Sequence, residues 1–139
     1  LLREAGKILK GTVKYSFPKQ GRLGRREFRE VCRQGKVLVS PWIIMYYKPD
    51  EHWGAGFGTT RDVRKAVERN LLRRRLREAY RLLRPRLSPF FKIVIIGKGS
   101  ALNLNFEELQ AEITRLLKKG KIWLENGQNP EGYGDGQNP

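Results

Sequence analysis

Apolar positions along the chain fall into runs of two different periods. Between Gly24 and Gln34, Phe28, Val31 and Cys32 recur at i, i+3, i+4, while Arg25, Arg29 and Arg33 run along another face. This spacing predicts a short amphipathic helix. Gly35 is the expected stop, because glycine tolerates the left-handed conformation. The following run, KVLVSPWIIMYYK, is rich in β-branched and aromatic residues. Pro41 cannot donate a ladder hydrogen bond, so the run predicts two strands, 36–39 and 42–48. PDEHWG reads as a turn. The third strand, 53–60, alternates strictly, with Gly54, Gly56 and Gly58 on one face and Trp53, Ala55, Phe57 and Thr59 on the other. A glycine face lets a helix or an RNA backbone approach closely. FKIVIIG, at 91–97, predicts a buried strand. A last helix starts at Asn105, with Glu108 at the capping-box position. Phe106, Leu109, Ile113, Leu116 and Leu117 form its apolar face, and Gly120 ends it.

Between the third and fourth strands lies KAVERNLLRRRLREAYRLLRPR, in which nine of twenty-two positions are Lys or Arg. At about 100° per residue, Leu72, Leu76, Ala79, Tyr80 and Leu83 cluster on one side of a helix. Arg73, Arg77, Arg81 and Arg84 form an adjacent stripe, with Arg69 and Arg74 at its margins. Val63, Ala66 and Val67 are out of phase with the leucines. A loop or crossover is therefore expected before about Val67, with the regular helix starting there. The apolar stripe would hold the guanidiniums rigidly at the edge of the core, arranged for spaced phosphates. Asn70 would lie near the helix entry, able to cap, to orient an arginine, or to contact a phosphate.

The resulting order is αβββαβα. It predicts an α+β fold, a two-layer α/β sandwich with helices over one face of a single sheet and the other face open to a ligand. Residues 16–123 are the expected single domain. Residues 1–15 read as a flexible arm. Residues 124–139 are rich in Gly, Asn and Pro without periodicity, so they read as a disordered tail.

Composition sharpens the function class. The 139 residues carry 29 Lys+Arg against 14 Asp+Glu, a net charge of +15. A charge run is ordinarily a solvated face. Here the excess charge, the preference for Arg and the core stripe together point to a polyanionic partner, with nucleic acid first. An anionic membrane surface is the weaker reading, since no amphipathic helix displays Trp, Phe or Leu beside the charge. No segment is apolar for long enough to span a bilayer. LLREAGKILKG has charges within its apolar stretch and no cleavage pattern, so no signal peptide is expected, although the sequence begins without Met. A single cysteine, Cys32, allows no internal disulfide and fits a reducing cytoplasm. A DNA-binding helix-turn-helix lacks its partner helix, because strands flank the basic helix on both sides.

GFGTTRDVRKAVERNLLRRRLREAYR resembles the signature of the bacterial ribonuclease P protein subunit. That family follows a Gly-Phe-Ser strand with a basic crossover and Arg-Asn-Arg-x-Lys-Arg-x-x-Arg-Glu. Arg69-Asn70, Arg73-Arg74 and Arg77-Glu78 match its spacing. Upstream, FPKQGRLGRREFREVCRQGK resembles the family's opening helix. The likeness runs from about Phe17 to Lys119. It implies a left-handed crossover at the basic motif, against the usual preference, in a fold shared with a domain of a ribosomal protein. It also implies a large catalytic RNA as partner, which cleaves the 5′ leader from precursor tRNA with Mg²⁺, the ion being held mainly by RNA. On this resemblance Arg69, Asn70, Arg73, Arg74 and Arg77 face the RNA subunit. Phe28, Tyr46, Arg61 and Lys65 serve the single-stranded leader, in a cleft between the first helix and the sheet. The chain departs from the pattern at Leu71, Asp62, Arg64, Cys32 and Gly58. A ribosomal or other structured-RNA-binding protein is the alternative.

Protein-borne chemistry has little to stand on. His52 sits in a predicted turn, and Cys32 lies on an apolar face as a packed thiol. GAGFG lacks the Gly-Lys-Ser/Thr of a P-loop. Asp50, Glu51 and Asp62 are loop carboxylates without two-metal spacing, so neither a catalytic residue nor a metal ligand is assigned. Trp42 and Trp53 read as core or sheet-edge anchors, and Trp123 has no assigned role.

Overall fold

The computed structural model describes residues 21–124; the predicted arm and the tail beyond Leu124 lie outside them. Helix α1 spans Arg25–Gln34, and strands β1, β2 and β3 span Lys36–Val39, Ile43–Pro49 and Gly54–Thr59. Helix α2 spans Ala66–Leu83, β4 Phe91–Gly97 and α3 Phe106–Lys119, with single-turn 3-10 segments at Arg84–Arg86 and Gly99–Asn103. The order αβββαβα is the one that periodicity predicts.

The four strands lie in the order β1-β2-β4-β3. β1–β2 and β2–β4 are antiparallel, while β3 and β4 are parallel. A parallel pair needs a crossover rather than a hairpin, and here α2 is that crossover. The break between β1 and β2 follows Pro41. The Ser40 hydroxyl oxygen there accepts from the Trp42 and Ile43 amides.

Alternation divides the sheet into two unlike faces. Ile43, Met45, Ile93 and Ile95 are fully buried in one core with Leu72, Leu76, Ala79 and Tyr80 of α2 and Leu109, Ile113, Leu116 and Leu117 of α3. Val63, out of phase with the helix, joins this core from the crossover loop. Val67, one residue into α2, is 77% exposed. The phase break therefore marks the helix start to within one residue.

The second face is not wholly open, as a one-sided layer would have it. Helix α1 crosses part of it. A Cβ at Gly56 would stand 2.6 Å from the Phe28 ring, and one at Gly54 would stand 2.6 Å from Leu23. The glycine face of β3 is thus the seat of α1 and of the segment leading into it. Lys92 anchors the same helix: its ammonium donates to Glu27 at 2.9 Å and lies 3.5 Å from the Asp50 carboxylate. Gly35 does not stop α1 through a left-handed turn, since its φ is −80°. It is needed because a Cβ would meet the Tyr47 and Val31 carbonyl oxygens at 2.6 Å. After α3 the left-handed residue is Lys121, at φ 63°, and not Gly120.

Candidate nucleic-acid interface

The crossover loop is tied down before the basic helix begins. The Thr60 amide donates to the Gly97 carbonyl at 3.0 Å, and the Val63 amide to the Thr60 carbonyl at 3.2 Å. The Thr60 hydroxyl donates to the Asp62 carboxylate. That bond, helped by the Gly99 amide, holds the Asp62 pKa below its ordinary value. Asp62 serves here to pin the crossover to the loop after β4.

The arginines of α2 divide by what they touch. Arg69 turns back on the loop, donating to the Arg64 carbonyl at 2.6 Å and the Val63 carbonyl at 3.4 Å. It stitches the first helical turn to the crossover rather than projecting freely. Arg73 donates to the Asn70 side-chain oxygen at 2.6 Å, so Asn70 orients an arginine. Arg75 reaches the Leu104 carbonyl at 3.5 Å. Arg81 pairs with Glu78 through two bonds, at 2.5 and 3.1 Å. Arg74 is exposed and Arg77 half-buried.

Arg77 sits in a field of its own sign. Burial, together with the guanidiniums of Arg22, Arg73 and Arg74, pushes its pKa below the ordinary arginine value, and Glu78 only partly compensates. Convergent cations raise the free energy of the unliganded protein, and a bound anion relieves it. Arg22 comes from outside the helix. Its backbone forms a bridge to Ala55 at the free edge of β3, and the Leu23 amide donates to the Ala55 carbonyl at 3.2 Å. Periodicity carries no signal for this placement.

The α1 face of the sheet holds a different surface. The strand registers align Val37, Tyr46, Val94 and Gly56 in one row, and Val39, Ile44, Ile96 and Gly58 in the next. α1 covers the β3 side of these rows with Phe28. Toward β1 they are uncovered: Val37 is 48% and Val39 61% exposed, and Ile44, Tyr46 and Ile96 are half-buried. Phe28 and Tyr46 therefore share one face of the sheet, at the helix-flanked side and within the floor respectively. Arg61 and Lys65 are exposed in the crossover, which leaves the sheet at the end where the second row lies. Val37, Val39, Ile44 and Ile96 were not singled out in the sequence, because their shared row depends on the register of three strands.

The remaining candidates are structural. Cys32 is half-buried, and burial pushes its thiol pKa up, away from nucleophilic use. Trp53 packs beside Tyr80 with the Arg84 guanidinium 4.3 Å above its ring. Trp42 packs on the core. Among the described residues no three His, Cys, Asp or Glu side chains stand together to hold a metal, and no helix is long and apolar enough to cross a membrane.

Comparison with known proteins agrees with this architecture. The family model for Ribonuclease P matches residues 17–121. A Chloroflexus aurantiacus ribonuclease P protein component is 41% identical over 102 residues, covering 70% of this chain and 76% of that protein. The corresponding Caldanaerobacter subterraneus protein is 32% identical over 102 residues, covering 72% and 88%. Among solved structures, the RNase P protein from Thermotoga maritima superposes with a TM-score of 0.64 at 26% identity, over 70% of this chain and 96% of that one. A Staphylococcus aureus RNase P protein mutant gives 0.68 at 19% identity, over 76% and 92%, and speaks to the fold alone. With a family model spanning most of its length and relatives above 30% identity matched over three quarters or more of their own length, the chain belongs to the ribonuclease P protein family.

Proposed function

We propose that the chain is the protein cofactor of a ribonuclease P ribonucleoprotein, acting in the cytoplasm on the 5′ leader of precursor tRNA. The observation that carries this reading is the separation of two RNA-suited surfaces by one sheet. On the α2 side, Arg73, Arg74 and Arg77 converge beside Asn70. On the α1 side, aromatic and aliphatic side chains line a partly covered row.

The basic face binds the catalytic RNA through its phosphates. Arg69 contributes by fixing the crossover that presents its neighbours. The α1 side takes the unpaired leader. Bases stack on Phe28 and Tyr46, each such contact being worth about 1–3 kcal/mol and sequence-tolerant. Arg61 and Lys65 bind the leader's phosphates at the exit of β3. Cleavage belongs to the RNA subunit, with Mg²⁺ bound mainly by RNA. The described residues offer this ion no cage of their own, and no step of the proposed function runs through a metal held by this chain. The net charge of +15 lowers repulsion between catalytic RNA and substrate, and so lowers the Mg²⁺ needed.

The test is precursor-tRNA cleavage at low Mg²⁺ with a bacterial ribonuclease P RNA, with and without the chain, and with the chain alone. Cleavage only when both are present is expected. Arg73→Ala with Arg74→Ala should weaken RNA-subunit binding and make its salt dependence shallower by about 1–2 in log–log slope. Binding to the RNA without rescue of cleavage would instead favour a structured-RNA-binding module.

A further inference from the structure

Trp123 lies beyond α3, where two chain segments are laced together. Leu87 and Trp123 form an antiparallel bridge. The Ser88 amide donates to the Ile122 carbonyl at 2.9 Å, and the Leu124 amide to the Arg86 carbonyl at 3.0 Å. Leu87 and Ile122 are buried beneath. Trp123 therefore stands on an anchored floor.

Two cations from different elements lean on its ring. The Arg86 guanidinium is 5.0 Å from the ring centroid, and the Lys118 ammonium is 5.1 Å from it. Arg86 closes a turn in which Pro85 fixes the backbone. Lys118 belongs to the last turn of α3. Lys119 and Lys121 are exposed beside them in sequence. Among the described residues, none of these four cations has a carboxylate within 4.0 Å. Each cation–ring contact stabilises by only about 0.5–1 kcal/mol at an exposed site. Two like charges held within about 10 Å of each other work against that gain. A ring flanked by cations that no described carboxylate pairs is the chemistry that grips a nucleic-acid backbone, through phosphates on the cations and a base or sugar on the ring.

We propose that Trp123, Arg86 and Lys118, with Lys121, form a second contact for the catalytic RNA, separate from the basic face of α2. The RNA subunit is the source rather than the leader, because α2 and α3 share one side of the sheet and the aromatic row lies on the other. The inference rests on the proposed role in ribonuclease P and extends it.

The test is binding of the full chain to ribonuclease P RNA across a series of KCl concentrations. Arg86→Gln with Lys118→Gln should bind several-fold more weakly, with a slope shallower by about 1–2. Arg86→Lys with Lys118→Arg should keep the wild-type slope. A second measurement does not depend on removing charge: Lys118→Cys in a Cys32→Ser background, carrying a photoreactive group, should crosslink to the RNA subunit in the holoenzyme. If the wild-type chain neither binds this RNA nor rescues cleavage, the proposed function fails first. If wild type does both while the glutamine variant keeps its slope and no crosslink forms, the second contact alone is overturned. A defect confined to precursor-tRNA binding by preassembled holoenzyme, or a crosslink to protein alone, overturns it as well.

Discussion

The two faces of the sheet are made by the same strands, residue by alternate residue, yet they are finished differently. On the α2–α3 side, Ile43, Met45 and Ile95 are completely buried beneath two helices. On the α1 side, one ten-residue helix packs over β2 and β4, sends Phe28 onto the glycines of β3, and leaves Val37 48% and Val39 61% exposed. The main core lies wholly on one side, so the surface proposed for the leader sits on the side that this core does not occupy, while the proposed contacts to the RNA subunit are carried on the outside of the core helices. A sheet secured from one side can keep apolar and aromatic groups at the surface of the other, where they would otherwise be consumed by the core.

The comparison is most easily broken in the dry core. Leu76→Ala should destabilise the protein by about 2–5 kcal/mol, read by denaturant unfolding. A loss below about 1 kcal/mol would show that this layer does not carry the fold. Gly56→Val comes next. Its added carbons would collide with Phe28, at a cost of about 1–3 kcal/mol. It should also dislodge α1 and weaken leader binding while leaving affinity for the RNA subunit unchanged. Equal loss of both activities would mean that the two faces are not independent.

Tyr46→Ala sharpens the contrast from the other direction. It should reduce holoenzyme affinity for precursor tRNA by up to the worth of one stacked base, about 1–3 kcal/mol, with little change for mature tRNA. A tenfold loss of RNA-subunit affinity instead would move Tyr46 to the other interface.

The smallest effect concerns the tether of α1. The Lys92 hydrogen bond, aided by the Gly24 amide, holds the Glu27 pKa below 4.5. Burial pushes Asp50 up, but the His52 and Glu51 amides and Lys92 outweigh it and leave the pKa below 3.8. Depressed carboxylate pKa values give stability that is present above those ordinary values and lost as pH falls through the folded ones. Lys92, raised chiefly by Glu27, loses its share only as pH rises through its own elevated value. Lys92→Met should therefore cost under about 1 kcal/mol at neutral pH, since Glu27 is partly exposed. The cost should shrink as pH drops below 4. An undiminished cost at pH 3 would show that Lys92 acts through packing rather than charge.

Much of this was legible beforehand, for reasons that are local. Helix and strand periods place the three α-helices and four strands within a residue or two, because burial on one side imposes them, but give no sign of the two 3-10 segments. Pro41 splits β1 from β2, and Asn105 with Glu108 caps α3 reciprocally at 2.8 and 2.9 Å. The site was legible by type but not by use. Arg69, Arg73 and Arg81 look alike on a helical wheel. One is spent on backbone carbonyls, one is held by Asn70, and one is paired with Glu78.

The sequence by itself determined the element order, the core stripe of α2, the excess of cations and the family. These follow from near neighbours and from composition. Tertiary structure alone decided that α1 occupies the glycine face, that Arg22 joins the arginines of α2, and that Trp123 meets Arg86 and Lys118. Apart from Lys118 and Trp123, which are close in sequence but brought together by the chain reversal after α3, those contacts join residues far apart in the chain. Strand register and helix packing set them, and no local period encodes either.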